Sequence, residues 1–154
     1  MLRGYSSISL DEKGRIAIPA RYRENLQALC KRQMIITLAV DEKGVGQTDL
    51  LWLFPLSEWE VVEQKISNLP AFNPMALKLK RYFIGNAAEC EMDTQGLLIP
   101  EKLRKLAKLD KKLVLIGVGN KFEIWREDVY STGEQAFMAG SDSEGLDELG
   151  DLSF

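Results

Sequence analysis

Apolar and polar residues alternate over short stretches of the chain, a pattern typical of brief strands separated by amphipathic helices. Residues 5–10 alternate loosely between apolar and polar, residues 15–18 continue an extended apolar pattern, and the segment between them, 11–14, is polar and contains a glycine, so together they predict a β-hairpin. Pro19 ends the second stretch and is well placed in the first turn of a helix. The apolar spacing that follows predicts this helix over 21–29.

The first half of the chain continues with a second pair of strands. Residues 34–40 are apolar and partly β-branched, and residues 50–54 form another apolar run that ends at Pro55. The segment 41–49 between them holds two glycines and four charged residues. We therefore expect a hairpin with an exposed loop over 41–49.

Two helices are predicted in the middle of the chain. Ser57 is a favourable N-cap residue, and Glu60 follows it with the spacing of a capping box. Apolar residues at helical spacing continue to residue 69, after which prolines interrupt the pattern. The stretch 75–84 shows a second helical pattern, in which apolar and basic residues are interleaved.

The second half of the chain repeats the pattern of the first. It predicts a strand, a turn, a strand, a proline-started helix, two strands and a last helix over residues 87–92, 93–96, 97–99, 100–109, 113–118, 122–125 and 127–137. The motif Asp11-x-x-Gly14-Arg15 returns as Asp93-x-x-Gly96, but the arginine is missing there. Two copies of about 45 residues indicate a duplication. Because neither copy can bury a sizeable core alone, we expect them to pack on each other or on neighbouring subunits.

The composition excludes several kinds of chemistry. The 154 residues include no histidine, which removes His-dependent hydrolases and proteases, His-ligated zinc and the usual neutral-pH general base. Cys30 and Cys90 are too few for a four-cysteine zinc site, and we interpret them as small buried apolar residues. No apolar run approaches the roughly 18 residues of a membrane span, and we expect no secretory signal peptide. We therefore expect a cytosolic protein without enzymatic activity, cofactor or metal.

The charged residues are distributed unevenly, although the net charge is only -3. Residues 1–33 carry seven basic residues and three acids, whereas residues 126–154 carry one basic residue and eight acids. The middle of the chain, 34–125, carries twelve of each sign. A basic head suits a polyanionic partner, and we expect the acidic tail to face away from it.

Several of these strings together resemble a known family. The Asp-x-x-Gly-Arg turn, the proline-started helix and the later hairpin resemble the SpoVT–AbrB domain of bacterial DNA-binding regulators. Two such domains, joined by Pro55-Leu56-x-x-Trp59-Glu60 and Ala88-Glu89-Cys90-x-Met92-Asp93, resemble the MraZ family over residues 1 to about 137. The opening Arg3-Gly4 and the run Asn120-Lys121-Phe122-Glu123-Ile124-Trp125 also fit this family.

The resemblance implies an α+β fold in which two SpoVT–AbrB-like units form a pseudo-symmetric double-split β-barrel with flanking helices. The corresponding domain one, helical connector, domain two and C-terminal helix with acidic tail are expected over residues 5–56, 57–84, 85–128 and 129–154. The family further implies a transcriptional regulator of the division and cell-wall gene cluster. Such a protein would bind tandem direct repeats in double-stranded DNA as a ring-shaped homo-oligomer. It would be cytoplasmic and nucleoid-associated, with neither a membrane nor a small-molecule substrate as partner.

The candidate DNA-binding residues are those of the first turn, together with cations elsewhere that would contact phosphates. Gly14 keeps the turn of a β-ribbon narrow enough for the major groove, and Arg15 offers a planar fork of donors that matches O6 and N7 of guanine. Asp11 is expected either to orient Arg15 or to cap backbone amides of the turn. The residues expected to neutralise phosphates are Lys13 and Arg3, with Arg21 or Arg23 as weaker candidates.

Two other functions stay open at this point. An AbrB-type antitoxin would repress its own promoter and hold a toxin, although such proteins usually have one domain and a long inhibitory tail. A structural ring without a DNA role is the other alternative, because the second motif lacks its arginine. Without that cation, we expect the second copy to serve packing or ring contacts.

Overall fold

The computed structural model describes residues 1–141 and 149–150 of the chain. Its strands are β1 (Leu2–Ser9), β2 (Arg15–Ile16), β3 (Gln33–Val40), β4 (Gly46–Pro55), β5 (Ala88–Glu91), β6 (Leu97–Leu98), β7 (Lys112–Gly119) and β8 (Phe122–Arg126). Its helices are α1 (Ala20–Cys30), α2 (Leu56–Ser67), α3 (Pro74–Lys78), which continues as a π-helix (Leu79–Ile84), α4 (Glu101–Leu106) and α5 (Glu127–Met138). The acidic tail predicted from residue 140 lies mostly outside the described residues.

The two copies interleave in one antiparallel sheet. The strand order is β1-β7-β8-β4-β3-β5, and a separate two-stranded sheet pairs β2 with β6. In the six-stranded sheet, β4 and β3 of the first copy therefore lie between β8 and β5 of the second, and the small sheet joins one strand of each copy. The expectation that the copies pack on each other is confirmed, and so are the two later hairpins, β3–β4 and β7–β8.

The first hairpin was predicted wrongly. β1 pairs with β7 along its whole length and not with β2. β2 instead pairs across the repeat, with Arg15 opposite Leu98 and Ile16 opposite Leu97. This exchange buries Ile16 and Leu97 against each other's copy, with 1% and 0% of their surface exposed. Burial of apolar surface between the copies therefore outweighs the local pairing that the turn would allow.

The α+β class is confirmed, whereas the predicted barrel is not. β1 and β5 lie at opposite edges of the six-stranded sheet. The edge of β1 is closed by helix α1, because the Tyr22 hydroxyl donates to the Arg3 carbonyl at 2.5 Å and Arg21 Nη2 donates to the Tyr5 carbonyl at 2.8 Å. Side chains of a helix thus cap the free carbonyls of this edge, which protects it from pairing with another strand.

One face of the sheet carries the main core. Core residues from the sheet, from α1 and α4 and from the β2–β6 pair meet there, among them Tyr22, Leu26, Met34, Leu53, Leu103, Leu115 and Phe122. The opposite face packs on α2 and the π-helix through Ile35, Phe54, Trp59 and Phe83. The first turn, residues 11–15, leads into β2 and therefore lies at the edge of the main core.

Prolines set the starts of three helices. Pro19, Pro55 and Pro100 each precede a helix with an extended backbone, at φ between -57° and -54° and ψ of 140° or 143°. The predicted Ser57 cap is therefore wrong, because α2 already begins at Leu56 and no side chain caps it.

Two other predicted boundaries need correction. α4 ends at Leu106 instead of 109, since Lys108 adopts a left-handed conformation with φ of 54° that stops a helix. The loop predicted over 41–49 is shorter than expected, because β4 begins at Gly46. The helix predicted over 75–84 is present, with its second half wound as the π-helix.

Candidate nucleic-acid interface

The first turn, residues 11–15, is closed by its own backbone. The Asp11 amide donates to the Arg15 carbonyl at 2.9 Å, and the Gly14 amide donates to the Asp11 carbonyl at 3.1 Å. Gly14 has a φ of 85°, a conformation that side chains rarely tolerate. The turn is therefore narrow, as the sequence predicted, although the two chains leaving it belong to different sheets.

The Asp11 carboxylate caps this turn. Its Oδ1 accepts hydrogen bonds from the Lys13 amide at 2.9 Å and from the Arg15 amide at 2.8 Å. The Arg15 amide is the main reason that the pKa of Asp11 is lowered from 3.8. Of the two roles expected for Asp11, the structure shows capping of amides, and no ion pair joins it to a guanidinium within the described residues.

Arg15 and Lys13 present the cations of the turn. Ile16 is buried, and successive side chains of a strand point to opposite sides, so Arg15 projects away from the core. Arg15 is half-buried and lies opposite the exposed Leu98, whereas Lys13 at the tip is exposed. A half-buried Arg15 next to an exposed Lys13 is suited to DNA binding, because the arginine can read one base edge while the lysine neutralises a neighbouring phosphate.

Arg104, from helix α4 of the second copy, lies against the first turn. A Cβ built at Gly14 would lie 2.6 Å from the guanidinium carbon of Arg104 and 2.8 Å from its Nε. The Ile99 amide of the same copy donates to the Gly14 carbonyl at 2.9 Å. No local pattern in the sequence predicts this contact, because the two residues lie 90 positions apart.

The turn of the second copy is built alike but serves the core. Asp93 and Gly96 exchange two backbone hydrogen bonds of 3.2 Å, and Asp93 Oδ1 accepts from the Gln95 amide at 2.8 Å. Leu97 follows at once and is fully buried. Gly96 rests against the backbone carbonyl of Ile16. The second turn therefore offers no cation in the place that Arg15 takes in the first.

A third turn, within the loop predicted over 41–49, has the same geometry, a likeness that was not predicted. Residues 41–44 repeat the four residues of 11–14, Asp-Glu-Lys-Gly. Asp41 Oδ1 accepts from the amides of Lys43 and Val45 at 2.8 and 2.9 Å, as Asp11 does from the corresponding amides. The identical tetrapeptide was the signal that could have revealed it.

The other predicted cations do not join the first turn. Arg3 lies six residues before Ser9, the end of β1 nearest to the turn, so about 20 Å of strand separates it from that end. Arg21 Nη2 donates to the Tyr5 carbonyl and, at 2.6 Å, to the Ser6 hydroxyl, so it closes the sheet edge. Arg23 Nε donates to the Ile18 carbonyl at 3.0 Å. Within one chain, only Lys13 and Arg15 of the predicted cations therefore meet.

The rest of the described chain offers few reactive groups. No cluster of three metal-ligating side chains occurs among residues 1–141 and 149–150. Burial raises the pKa of the Cys90 thiol to about 12, which leaves it protonated and unreactive at neutral pH. No helix in the described ranges is long and apolar enough to cross a bilayer.

Comparison with known proteins identifies the family of the chain. A family described as "MraZ protein, putative antitoxin-like" matches twice, over residues 1–82 and 83–149, in agreement with the internal repeat. A transcriptional regulator MraZ of Methylococcus capsulatus is 49% identical over 151 residues, which cover 97% of this chain and 95% of the relative. Proteins of the same name from Pseudomonas aeruginosa and Pseudomonas putida are 44% and 43% identical, each over 99% of both chains. The predicted resemblance is thereby confirmed, and the chain belongs to the MraZ family of transcriptional regulators.

Proposed function

We propose that this protein binds double-stranded DNA sequence-specifically through the turn from Asp11 to Arg15. Its targets are tandem direct repeats upstream of the division and cell-wall gene cluster, and it binds them as a ring-shaped homo-oligomer. It works in the cytoplasm at the nucleoid, without a cofactor, a small-molecule substrate or a catalytic step. The proposal follows the family assignment and the chemistry of the turn.

The observation that carries the proposal is the fixed, outward position of Arg15. Its amide is held by Asp11, its neighbour Ile16 is buried in the core, and its strand pairs with the second copy. An arginine whose backbone is held in this way can donate two hydrogen bonds from its guanidinium to O6 and N7 of guanine, which discriminates against other bases by about 1–3 kcal/mol. Lys13 adds an attraction to phosphate that carries no sequence information.

One such turn cannot bind DNA tightly by itself. A two-residue strand and a five-residue turn bury far less surface than the roughly 600–1,000 Å² of even a single small DNA-binding module. An assembly that presents several turns at fixed spacing gains avidity of about 100- to 10,000-fold without new contacts. Arg3, far from the turn in its own chain, is proposed to reach phosphates from such an assembly.

The experiment that tests the proposal joins a gel shift with a mass measurement. A duplex from the region upstream of the protein's own gene is compared with a scrambled duplex of equal composition. The native protein is expected to prefer the first duplex by at least about 1,000-fold and to elute as a multimer before DNA is added. Equal binding of both duplexes by the multimer would refute sequence-specific recognition.

An Arg15→Ala variant assigns the recognition to the turn. Because Arg15 is half-buried and outside both core clusters, its removal is expected to lower specific affinity by about 100-fold, the loss of one base contact, and to leave the mass of the oligomer unchanged. Specific binding of unchanged affinity would place the reading residue elsewhere.

A second function, as an antitoxin, is favoured by the description "antitoxin-like" that the matching family carries. An antitoxin would need a surface for a toxin besides its DNA-binding turn. Co-purification of one toxin with the native protein and with Arg15→Ala alike would support this function. Recovery of the chain alone, together with specific DNA binding, would refute it.

A further inference from the structure

We propose that Arg104 of the second copy is a positioning residue, which holds the first turn in the conformation that presents Arg15. The expected effect of Arg104 on DNA binding rests on the proposed function. The inference concerns a residue outside the Asp-x-x-Gly-Arg motif and gives the second copy a role that its missing arginine had left open.

Three contacts tie the first turn to the second copy. Arg15 pairs with Leu98, and the Ile99 amide donates to the Gly14 carbonyl at 2.9 Å. The guanidinium of Arg104 covers Gly14 so closely that an added Cβ would lie within 3 Å of three of its atoms. The first turn is therefore held from outside as well as by its own hydrogen bonds.

The guanidinium of Arg104 is itself fixed. Its Nε donates to the Ile99 carbonyl at 3.0 Å. Ile99 thus bonds the turn through its amide and Arg104 through its carbonyl, and the three residues Gly14, Ile99 and Arg104 form a closed arrangement. Only a planar group with a directed Nε–H can both make this bond and lie flat on the glycine. A lysine keeps the charge but has neither feature.

The first copy provides the matched arginine. Arg23 stands at the same place in its repeat, four residues after the proline, and its Nε donates to the Ile18 carbonyl at 3.0 Å. The atoms nearest to a Cβ at Gly96, however, belong to the backbone of Ile16 and Ala17 and not to Arg23. The two arginines therefore share their anchor, but only Arg104 covers a turn glycine.

The cost of leaving the first turn free explains why such a contact matters. A glycine-containing turn samples many conformations, and a bidentate contact to a base edge needs its donors held within about 0.5 Å. A contact that restricts the turn before binding raises affinity by lowering the entropy lost on binding. The same contact adds no phosphate ligand, so it should not alter the number of counterions released.

The test uses the full-length variants Arg104→Lys and Arg104→Ala, with Arg23→Lys as the matched control. Amide hydrogen exchange of the free protein is measured over residues 11–15, and binding to the upstream duplex is measured at several salt concentrations. We expect both Arg104 variants to exchange faster at Gly14 and Arg15 and to lose about tenfold in specific affinity, with an unchanged salt slope. Arg23→Lys is expected to behave as the native protein in both measurements.

Each other result has a definite meaning. If Arg104→Lys keeps native affinity, or Arg104→Ala lowers the salt slope by about one, Arg104 acts as a charge on a phosphate and the inference is overturned. Equal effects of Arg23→Lys would overturn it as well, because they would reflect helix anchoring in general. If the native protein binds no duplex specifically, the proposed function fails, whereas the exchange rates still decide whether Arg104 holds the turn.

Discussion

Two turns of this molecule share sequence and geometry and differ in everything around them. Residues 11–14 and 41–44 are both Asp-Glu-Lys-Gly. In each turn, the aspartate carboxylate accepts from the amides two and four residues later, at 2.8–2.9 Å, and the glycine has a positive φ, 85° at Gly14 and 74° at Gly44. These four residues are therefore sufficient to determine the local conformation of the turn.

The surroundings of the two turns have opposite character. The first is followed by Arg15 and covered by Arg104. The second is followed by Val45 and approached by the thioether of Met75, at the mouth of an apolar groove. The first turn thus has two arginines beside its lysine, whereas the second has a valine and a methionine. The fifth residue and the neighbouring helix, more than the turn itself, therefore make a candidate DNA interface.

The largest effect is expected from exchanging the fifth residues. Arg15→Val gives the first turn the sequence of the second, and it should lower specific affinity for the upstream duplex by about 100-fold, within the range that one lost base contact allows. Val45→Arg, the reciprocal change, should leave affinity unchanged because its turn is approached by Met75 and lacks a covering arginine. Gel shifts on oligomers of equal mass measure both. Recovery of binding in the double variant would show that the turn sequence alone suffices.

A smaller effect is expected from Gly14→Ala and Gly44→Ala. Both replace a glycine at positive φ, which costs about 1–2 kcal/mol in the free energy of unfolding. Only Gly14→Ala should also weaken DNA binding, by about tenfold, because its methyl group meets the Arg104 guanidinium and shifts the turn. Denaturant unfolding and anisotropy titrations separate the two quantities. Equal losses of affinity in both variants would contradict the distinction.

The next effect concerns the lysines at the third position of each turn. Lys13→Ala should weaken binding to all duplexes alike and reduce the salt slope by about one, the signature of one phosphate contact. Lys43→Ala should change neither, since Lys43 lies on the turn that faces the apolar groove. A loss in Lys13→Ala that is confined to one duplex would instead assign it to base reading.

The smallest effect is a pH dependence of the first turn. Hydrogen bonds from the Arg15 and Lys13 amides lower the pKa of Asp11 below 3.8, so the ionised carboxylate favours the folded turn. Its contribution is present above about pH 4 and is lost as the pH falls through the lowered pKa. A carboxyl NMR titration should show this low value, and Asp11→Asn should keep the turn without titrating. A pKa at or above 3.8 would contradict the capping role.

Much of the fold follows from local patterns in the sequence. Strong hydrophobic periodicity marks the helices and the strands predicted over 34–40 and 50–54, and glycine marks the turns. These elements were therefore predictable. The pairing of β2 with β6 was not, because a two-residue strand carries too little pattern to choose its partner. The N-cap predicted at Ser57 was wrong because the helix already begins at Leu56, directly after Pro55.

The candidate site likewise has a part that the sequence predicts and a part that it does not. Asp11, Lys13, Gly14 and Arg15 lie next to one another in the chain, so their meeting needed no tertiary information. Arg3, predicted to contact a phosphate, lies at the other end of β1, and no pattern in the sequence indicated this distance. Arg104 meets Gly14 only because the two copies exchange strands, and neither composition nor spacing reports such an exchange.

The most direct test of the central claim is site-specific photo-cross-linking to DNA. A benzoyl-phenylalanine side chain placed at Lys13 or at Lys43 compares the two turns in the intact oligomer, with Arg15 in place. We predict a cross-link to the upstream duplex from position 13 and none from position 43. Duplex that is bound but cross-links only from position 43, or equally from both, would contradict the claim that the first turn meets DNA.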